Sequence, residues 1–400
     1  MSQAIEIVGA KPASHLRVVG AVSAAHLVSH YYIIIMAPLL PFVREAYGVS
    51  YTEIGLALAV FNTVSAVLQA PAGFLVDRLG ARLPLICGLL LGAGPFLIVG
   101  LTDSYWVLVA MFAIAGIGNA VYHPADYALL SQHVPAERIG PAFSFHTFAG
   151  MAGSALAPPT LLMMQSAWGW RGAFIGASIL GFAVAVVLIA IRDHGEGHAA
   201  PRTKSASGDG GWRLLMTPAI LLNLVFFVLL AVMSGGIYNY SVVALGALYA
   251  TPVATANVAL TGNLVLSALG VLVGGLLVTR TNRHGLVASL GLLAIALFTA
   301  LIAEIDLGSL GLISAMTMAG FCSGIIMPSR DMIVREITPP GSFGKVFGFV
   351  TTGFNIGGII APLIFGAIMD HGSPRLVFLG VAAGSLIAIF TVLSRPRRRA

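Results

Sequence analysis

What most constrains this chain is a recurrence of long apolar runs. From near residue 19 to near residue 394, stretches repeatedly exceed the roughly 18 residues that carry a helix across a bilayer, and few charges interrupt them. Charged residues make up 9% of the chain, against roughly 25% in a soluble domain. The chain is 58% hydrophobic with a mean hydropathy of +0.94. Hydrocarbon offers the backbone no hydrogen-bond partner, so a spanning segment must be a helix or part of a closed barrel. Barrel strands would alternate over ten or so residues, and no such alternation occurs. The chain therefore reads as an all-α polytopic membrane protein.

Hydropathy and helix breakers place twelve spans near 19–42, 53–76, 83–101, 106–132, 140–164, 172–191, 216–247, 257–279, 285–304, 309–333, 343–369 and 374–394. Between the sixth and seventh lies a Gly-, Ser-, His- and charge-rich joint at 193–212, a flexible hydrophilic linker by composition. The expected organisation is a six-helix unit over 1–192, the linker, and a second six-helix unit over 213–400. If both termini face the cytoplasm, 17 of the 21 Lys and Arg fall on that side and only Arg44, Arg171 and Arg375 on the other, with Arg330 in a helix end. That asymmetry is the positive-inside pattern, and it implies a multi-pass inner-membrane protein.

The two units also repeat. An offset of 204 pairs Gly140 with Gly344, Phe143 with Phe347, Gly153 with Gly357, Pro158 with Pro362, Pro124 with Pro328 and Arg171 with Arg375. One offset shared by several helices implies two pseudo-symmetric bundles. The net charge of +6 is spread over loops, which argues against a nucleic-acid partner. The Arg395, Arg397, Arg398 and Arg399 tail suits anionic lipid instead. Cys87 and Cys322 fall inside spans as free thiols, and no signal-peptide cleavage is expected.

Between the second and third spans stands a polar hinge, Gly73-Phe-Leu-Val-Asp77-Arg78-Leu-Gly80-Ala81-Arg82. Acid, bases and glycines are gathered where a helix ends, which suits ion pairs and a tight turn. The stretch resembles the signature loop of major facilitator superfamily transporters, Gly-x-Leu-x-Asp-Arg-x-Gly followed by two bases, with Ala81 departing from it. The resemblance implies twelve transmembrane helices in two six-helix bundles that rock about a central site, and a gate at this loop. By the same resemblance Asp126 joins Arg78 or Arg82 as a latch, with a second reading as a proton carrier, and its repeat mates Arg330 and Asp331 form the equivalent beside Glu336 and Lys345. Arg330 has a second reading as an anchor for a substrate anion. The His123-Pro-Ala-Asp126 segment and short loops look like the fosmidomycin-resistance type of efflux carrier. The fourth-helix arginine of drug–proton antiporters is absent, with Phe112 in its place.

Polar groups inside spans are costly and mark function. His26, His30, His123 and His146 all lie within spans, and an imidazole changes charge near physiological pH. Each alone is readily a hydrogen-bonded core histidine; four in one half point to substrate or proton binding. His30 with Tyr31 and Tyr32, His123 and His146 are the candidates. His26 and His30 have i, i+4 spacing suited to a metal, but Leu-Val-Ser separates them where metalloproteases carry Glu, and no metal is expected. Asn62, Ser65 and Gln69 stripe the second helix, Tyr238 and Asn239 follow a Gly235-Gly236 break, and Thr351 and Asn355 lie on the eleventh. Each group suits either interhelical hydrogen bonds or a pocket lining. With no phosphate-binding Gly-x-x-x-x-Gly-Lys loop and no nucleophile–base set, neither an enzyme nor a cofactor is expected. The expectation is a monomeric, proton-coupled exporter of a small organic solute. The alternatives are proton symport of an organic anion such as a carboxylate, and a sensor that kept the fold and lost transport.

Overall fold

A computed structural model describes residues 12–135, 138–191, 212–339 and 342–394. Most of the expected linker and the Arg395–Arg399 tail lie outside the described residues. Among the described residues, ten helices are long and apolar enough to cross a membrane, and a pair broken by 41°, His15–Ile34 with Met36–Tyr47, forms one more span. The twelfth comes from the helix Ile139–Ala190, whose 52 residues would reach about 78 Å, far beyond a hydrocarbon core of about 30 Å. Gly169 breaks it with φ 71°, a left-handed conformation that costs glycine nothing.

The twelve spans are α1 (Pro12–Ile34 continued by Met36–Tyr47), α2 (Tyr51–Leu79), α3 (Arg82–Leu101), α4 (Tyr105–His133), α5 (139–168), α6 (170–190), α7 (Pro218–Tyr249), α8 (Val253–Arg280), α9 (His284–Glu304), α10 (Gly308–Ile337), α11 (Phe343–Asp370) and α12 (Arg375–Leu393). Their alternation places Arg78, Arg82, Arg138, Arg280, Arg283 and Arg335 at one end of the molecule, here the basic face. Arg44, Arg171 and Arg375 lie at the far face. Trp106 and Trp168, each 70% exposed near far-face helix ends, suit an interfacial aromatic belt. Leu310, Phe390 and many other apolar side chains point outward, as a lipid-facing surface requires.

Helices α1–α6 form one six-helix bundle and α7–α12 the other. The repeat has a packing cause. A Cβ on Gly153 of α5 would meet the backbone of Leu27 on α1, and one on Gly357 of α11 would meet Ala231 and Val228 of α7. Leu27 and Ala231 are themselves 204 apart, so the same close crossing is built twice. The main contact between bundles runs along α2 and α11. At the far face Asp370 ends α11 and accepts hydrogen bonds from Tyr51 N at 2.7 Å and Thr52 N at 2.8 Å, the first amides of α2. These donors have no partner within their own helix. Tyr240 of α7 adds a hydroxyl donated to Pro362 O at 2.6 Å and a longer contact to Tyr51 O.

Candidate functional site

Beneath that far-face clasp a cavity of about 210 Å³ opens between the bundles. Tyr32, Ile33, Leu58, Phe61, Asn62 and Phe112 line it from one side, and Ala231, Ser234, Tyr238, Asn239, Phe354 and Gly358 from the other. Its position midway along the helices follows from residue numbers well inside each span. The expected Gly235-Gly236 break is not an unwound segment. Gly236–Tyr240 forms a single π-helical turn inside a continuous α7, a local widening that often marks functional sites. The turn presents Tyr238 and Asn239 to the cavity. Asn239 donates to Gly235 O at 3.3 Å, and its Oδ1 is buried with no hydrogen-bond partner. Asn62 turns its amide back onto Leu58 O at 2.8 Å. Ser65, its stripe neighbour, instead accepts from Asn119 of α4, a helix–helix bond. Asn355 is half-buried beside Phe354 and does not line the cavity.

Ile33 belongs to the cavity wall, and His30 and His26 follow it toward the basic face at about one helical turn each. Here the structure gathers side chains from three helices. His26 of α1 stacks on His146 of α5, with ring centroids 3.9 Å apart and planes 24° apart. Its ring also lies 4.6 Å from His30 and 5.4 Å from His123 of α4. Asp126 sits within this group at 0% exposure. Its Oδ2 is 3.4 Å from His26 Nδ1 and 3.6 Å from His146 Nε2, and neither carboxylate oxygen has a hydrogen-bond partner. Gly150 makes room for the cluster: a Cβ there would lie 2.6 Å from His26 Cδ2 and 3.0 Å from His30 Cδ2. His30 Nδ1 meets Ser154 Oγ at 3.3 Å. His123 is exposed while packed against the rings of His26 and Tyr127, so it lies at the open edge of the group. Among the described residues, only His26, Asp126 and His146 bring such donor atoms within 4.8 Å of one another.

The latch contact expected for Asp126 is not made in this structure. Its neighbours are imidazoles, while Arg82 donates to Leu188 O and Ile189 O at the end of α6. A cation on a helix's last carbonyls opposes the negative end of the dipole. Asp77 and Arg78 lie exposed in the last turn of α2, with Gly73 one turn before them, and Gly80 makes the turn to α3 at φ 77°. Arg330, only 9% exposed, pairs with Asp331 through Nε at 2.9 Å and a terminal nitrogen at 2.8 Å. Its guanidinium also stacks on Phe227 at 4.9 Å and Phe354 at 5.1 Å. Glu336, expected beside them, faces His284 at 3.7 Å. Tyr31 bonds to Thr160 at 2.8 Å and Tyr32 donates to Ala177 O at 3.1 Å; these hydroxyls tie α1 to α5 and α6. Sequence reasoning undervalued His26, the hub of the cluster, and missed Asp370; an acid ending an apolar span was the available signal.

The family model for the Major Facilitator Superfamily matches residues 22–251 and 224–400. The fosmidomycin resistance protein of Escherichia coli is 23% identical over 391 residues, covering 95% of this chain and 93% of that protein. A probable L-galactonate transporter of the same species is 26% identical over 405 residues, covering 89% and 85%. In backbone, the chain is similar to a bacterial homolog of the human lysosomal transporter Spinster in an inward-facing, unoccupied conformation. The TM-score is 0.79 at 14% identity, covering 98% of this chain and 100% of that one.

Proposed function

The chain belongs to the major facilitator superfamily of small-solute transporters, and from that premise we propose that it is a proton-coupled exporter of a small organic solute. It resides in the cytoplasmic membrane with both termini inside and works as a monomer by alternating access. The observation that carries this reading is the cavity between the bundles, lined from both sides and closed at the far face by Asp370 on Tyr51 and Thr52. A site shared by two bodies is reshaped whenever one rocks against the other. The bundles 1–192 and 213–400 are the rocking bodies, joined by 193–212. The basic face is cytoplasmic, so the conformation described here is the one closed to the outside. The α2–α3 turn with Gly73, Asp77, Arg78, Gly80 and Arg82 is the inner latch, with Arg330 and Asp331 its counterpart in the second half. Tyr32, Tyr238 and Asn239 contact the solute, and the imidazoles of His30 and His123 lie on the proton route.

Export accords with the name of the fosmidomycin resistance relative. A second reading, proton symport of a small organic anion, is favoured by the relative named for L-galactonate. Flux into and out of proteoliposomes, measured over a panel of metabolites and drugs with an imposed pH gradient, tests both. Exchange of solute for protons supports export, and co-movement supports symport. A chain that moves no member of a broad panel under either gradient would be a sensor and not a carrier.

A further inference from the structure

Asp126 presents a problem of electrostatics that its surroundings leave unsolved. A carboxylate at 0% exposure with no donor on either oxygen carries a desolvation cost of several kcal/mol if ionised and unpaired. Titratable groups surround it on every helix packed around it: His26 of α1 and His146 of α5 face it directly, His30 of α1 and His123 of α4 pack on the His26 ring, Tyr127 of α4 packs on the His146 ring, and Tyr122 lies one turn away on α4. None of them is permanently charged. The nearby α3 offers no cation, since Arg82 is spent on the α6 carbonyls. The site thus calls for one small cation to neutralise it.

A metal ion is a poor fit. Imidazole lone pairs lie in the ring plane, and a tetrahedral ion needs them to converge at about 2.0–2.1 Å. His26 and His146 are stacked with planes only 24° apart, so their lone pairs run side by side rather than meeting. A proton has no such requirement. It resides on one carboxylate oxygen and passes to His26 or His146 after each closes by a few tenths of an ångström to hydrogen-bond length.

We propose that Asp126, enclosed between His26 and His146, is the group that takes up and gives back the coupling proton. The inference rests on the transport reading above and moves Asp126 from the gate to the coupling site. On loading, a proton from water at exposed His123 or at His30 transfers through the imidazoles to the carboxylate, leaving every group neutral. On unloading, the carboxylate returns it by the same route and is left as an anion. That buried charge then disfavours the closed packing of α1, α4 and α5 until solute or a new proton relieves it.

Two measurements test this on the full-length chain. In proteoliposomes, Asp126→Asn is expected to keep solute exchange down its own gradient while losing accumulation driven by a pH gradient by at least about tenfold, and Asp126→Glu should recover part of it. Retained pH-driven accumulation in Asp126→Asn overturns the proposal. Infrared difference spectra between high and low pH supply a readout independent of transport. The wild type should show a protonated-carboxyl band that Asp126→Asn lacks and that shifts in His146→Gln. Identical bands in wild type and Asp126→Asn overturn the assignment, as does stoichiometric zinc binding by a tag-free chain that Asp126→Asn abolishes. If the wild type exchanges no solute, the transport reading fails, and the infrared spectra still decide whether Asp126 holds the proton.

Discussion

Removing the Asp370 carboxylate is expected to release the far face. Asp370 makes two bonds to the first amides of α2 and a third to the Thr52 hydroxyl, all across the bundle boundary. A hydrogen bond to a charged group is worth about 1.5–3 kcal/mol when buried. Asp370 is exposed, so solvent screening reduces the set to about 2 kcal/mol in total. Ser50 and Glu53 already form a capping box on the same helix end, so α2 itself stays capped when Asp370 is lost. The energy therefore falls on the equilibrium between closed and open far faces and not on folding. At 1.4 kcal/mol per factor of ten, Asp370→Asn shifts that equilibrium by roughly 30-fold toward opening. Spin labels on the far-face ends of α2 and α11 should report the change as growth of a longer-distance population, with melting temperature little altered. An unchanged distance distribution would refute the clasp as a gate.

Other perturbations follow from the same contacts. Gly150→Ala places a methyl against His26 and should cost about 1–3 kcal/mol, read as a lower melting temperature and altered pH dependence of transport. Asp77→Asn should abolish most flux while leaving membrane insertion and thermal stability intact; wild-type flux would remove the α2–α3 turn from the latch. His30→Ala and His123→Ala should each change the pH profile of flux, and unaltered profiles in both would take them off the proton route.

Much of the fold was legible because it follows from local composition. Apolar length forces helices, and the offset of 204 records paired crossings such as Gly153 on Leu27 and Gly357 near Ala231. The turn after α2 was legible from Gly80, and the split of the 139–190 rod from its length. The cluster around Asp126 was only half legible. Its histidines announced themselves as polar groups in spans, but their meeting depends on how α1, α4 and α5 are rotated about their axes, which periodicity does not record. His123 and Asp126, three residues apart, lie about 60° apart around α4. That angle is enough to leave one at the exposed edge and bury the other completely. Asp370 was visible as an acid ending an apolar span, but its pairing was not legible for a different reason: its partners are 318 and 319 residues away, and nothing local marks them.

The repeat places Arg330 at the position that Asp126 occupies in the first half, and the two bundles meet the cost of a buried ionisable group differently. Arginine cannot discharge itself by losing a proton, so Arg330 needs a permanent anion, and Asp331 lies beside it with two short contacts while two phenyl rings flank the guanidinium. Asp126 can discharge by gaining a proton and has no cationic partner. The stability consequences are therefore opposite. Asp331→Asn strands a buried charge; breaking such a pair costs 3–5 kcal/mol when both partners are buried, reduced to about 2 kcal/mol because Asp331 is 44% exposed. If Asp126 holds a proton as proposed, Asp126→Asn exchanges one neutral group for another of nearly the same shape and should cost less. Thermal melts of the two variants at neutral pH decide the matter. A larger loss for Asp126→Asn would mean that Asp126 is ionised in the folded protein, and the division of labour between a half that changes its charge and a half that keeps it would fall.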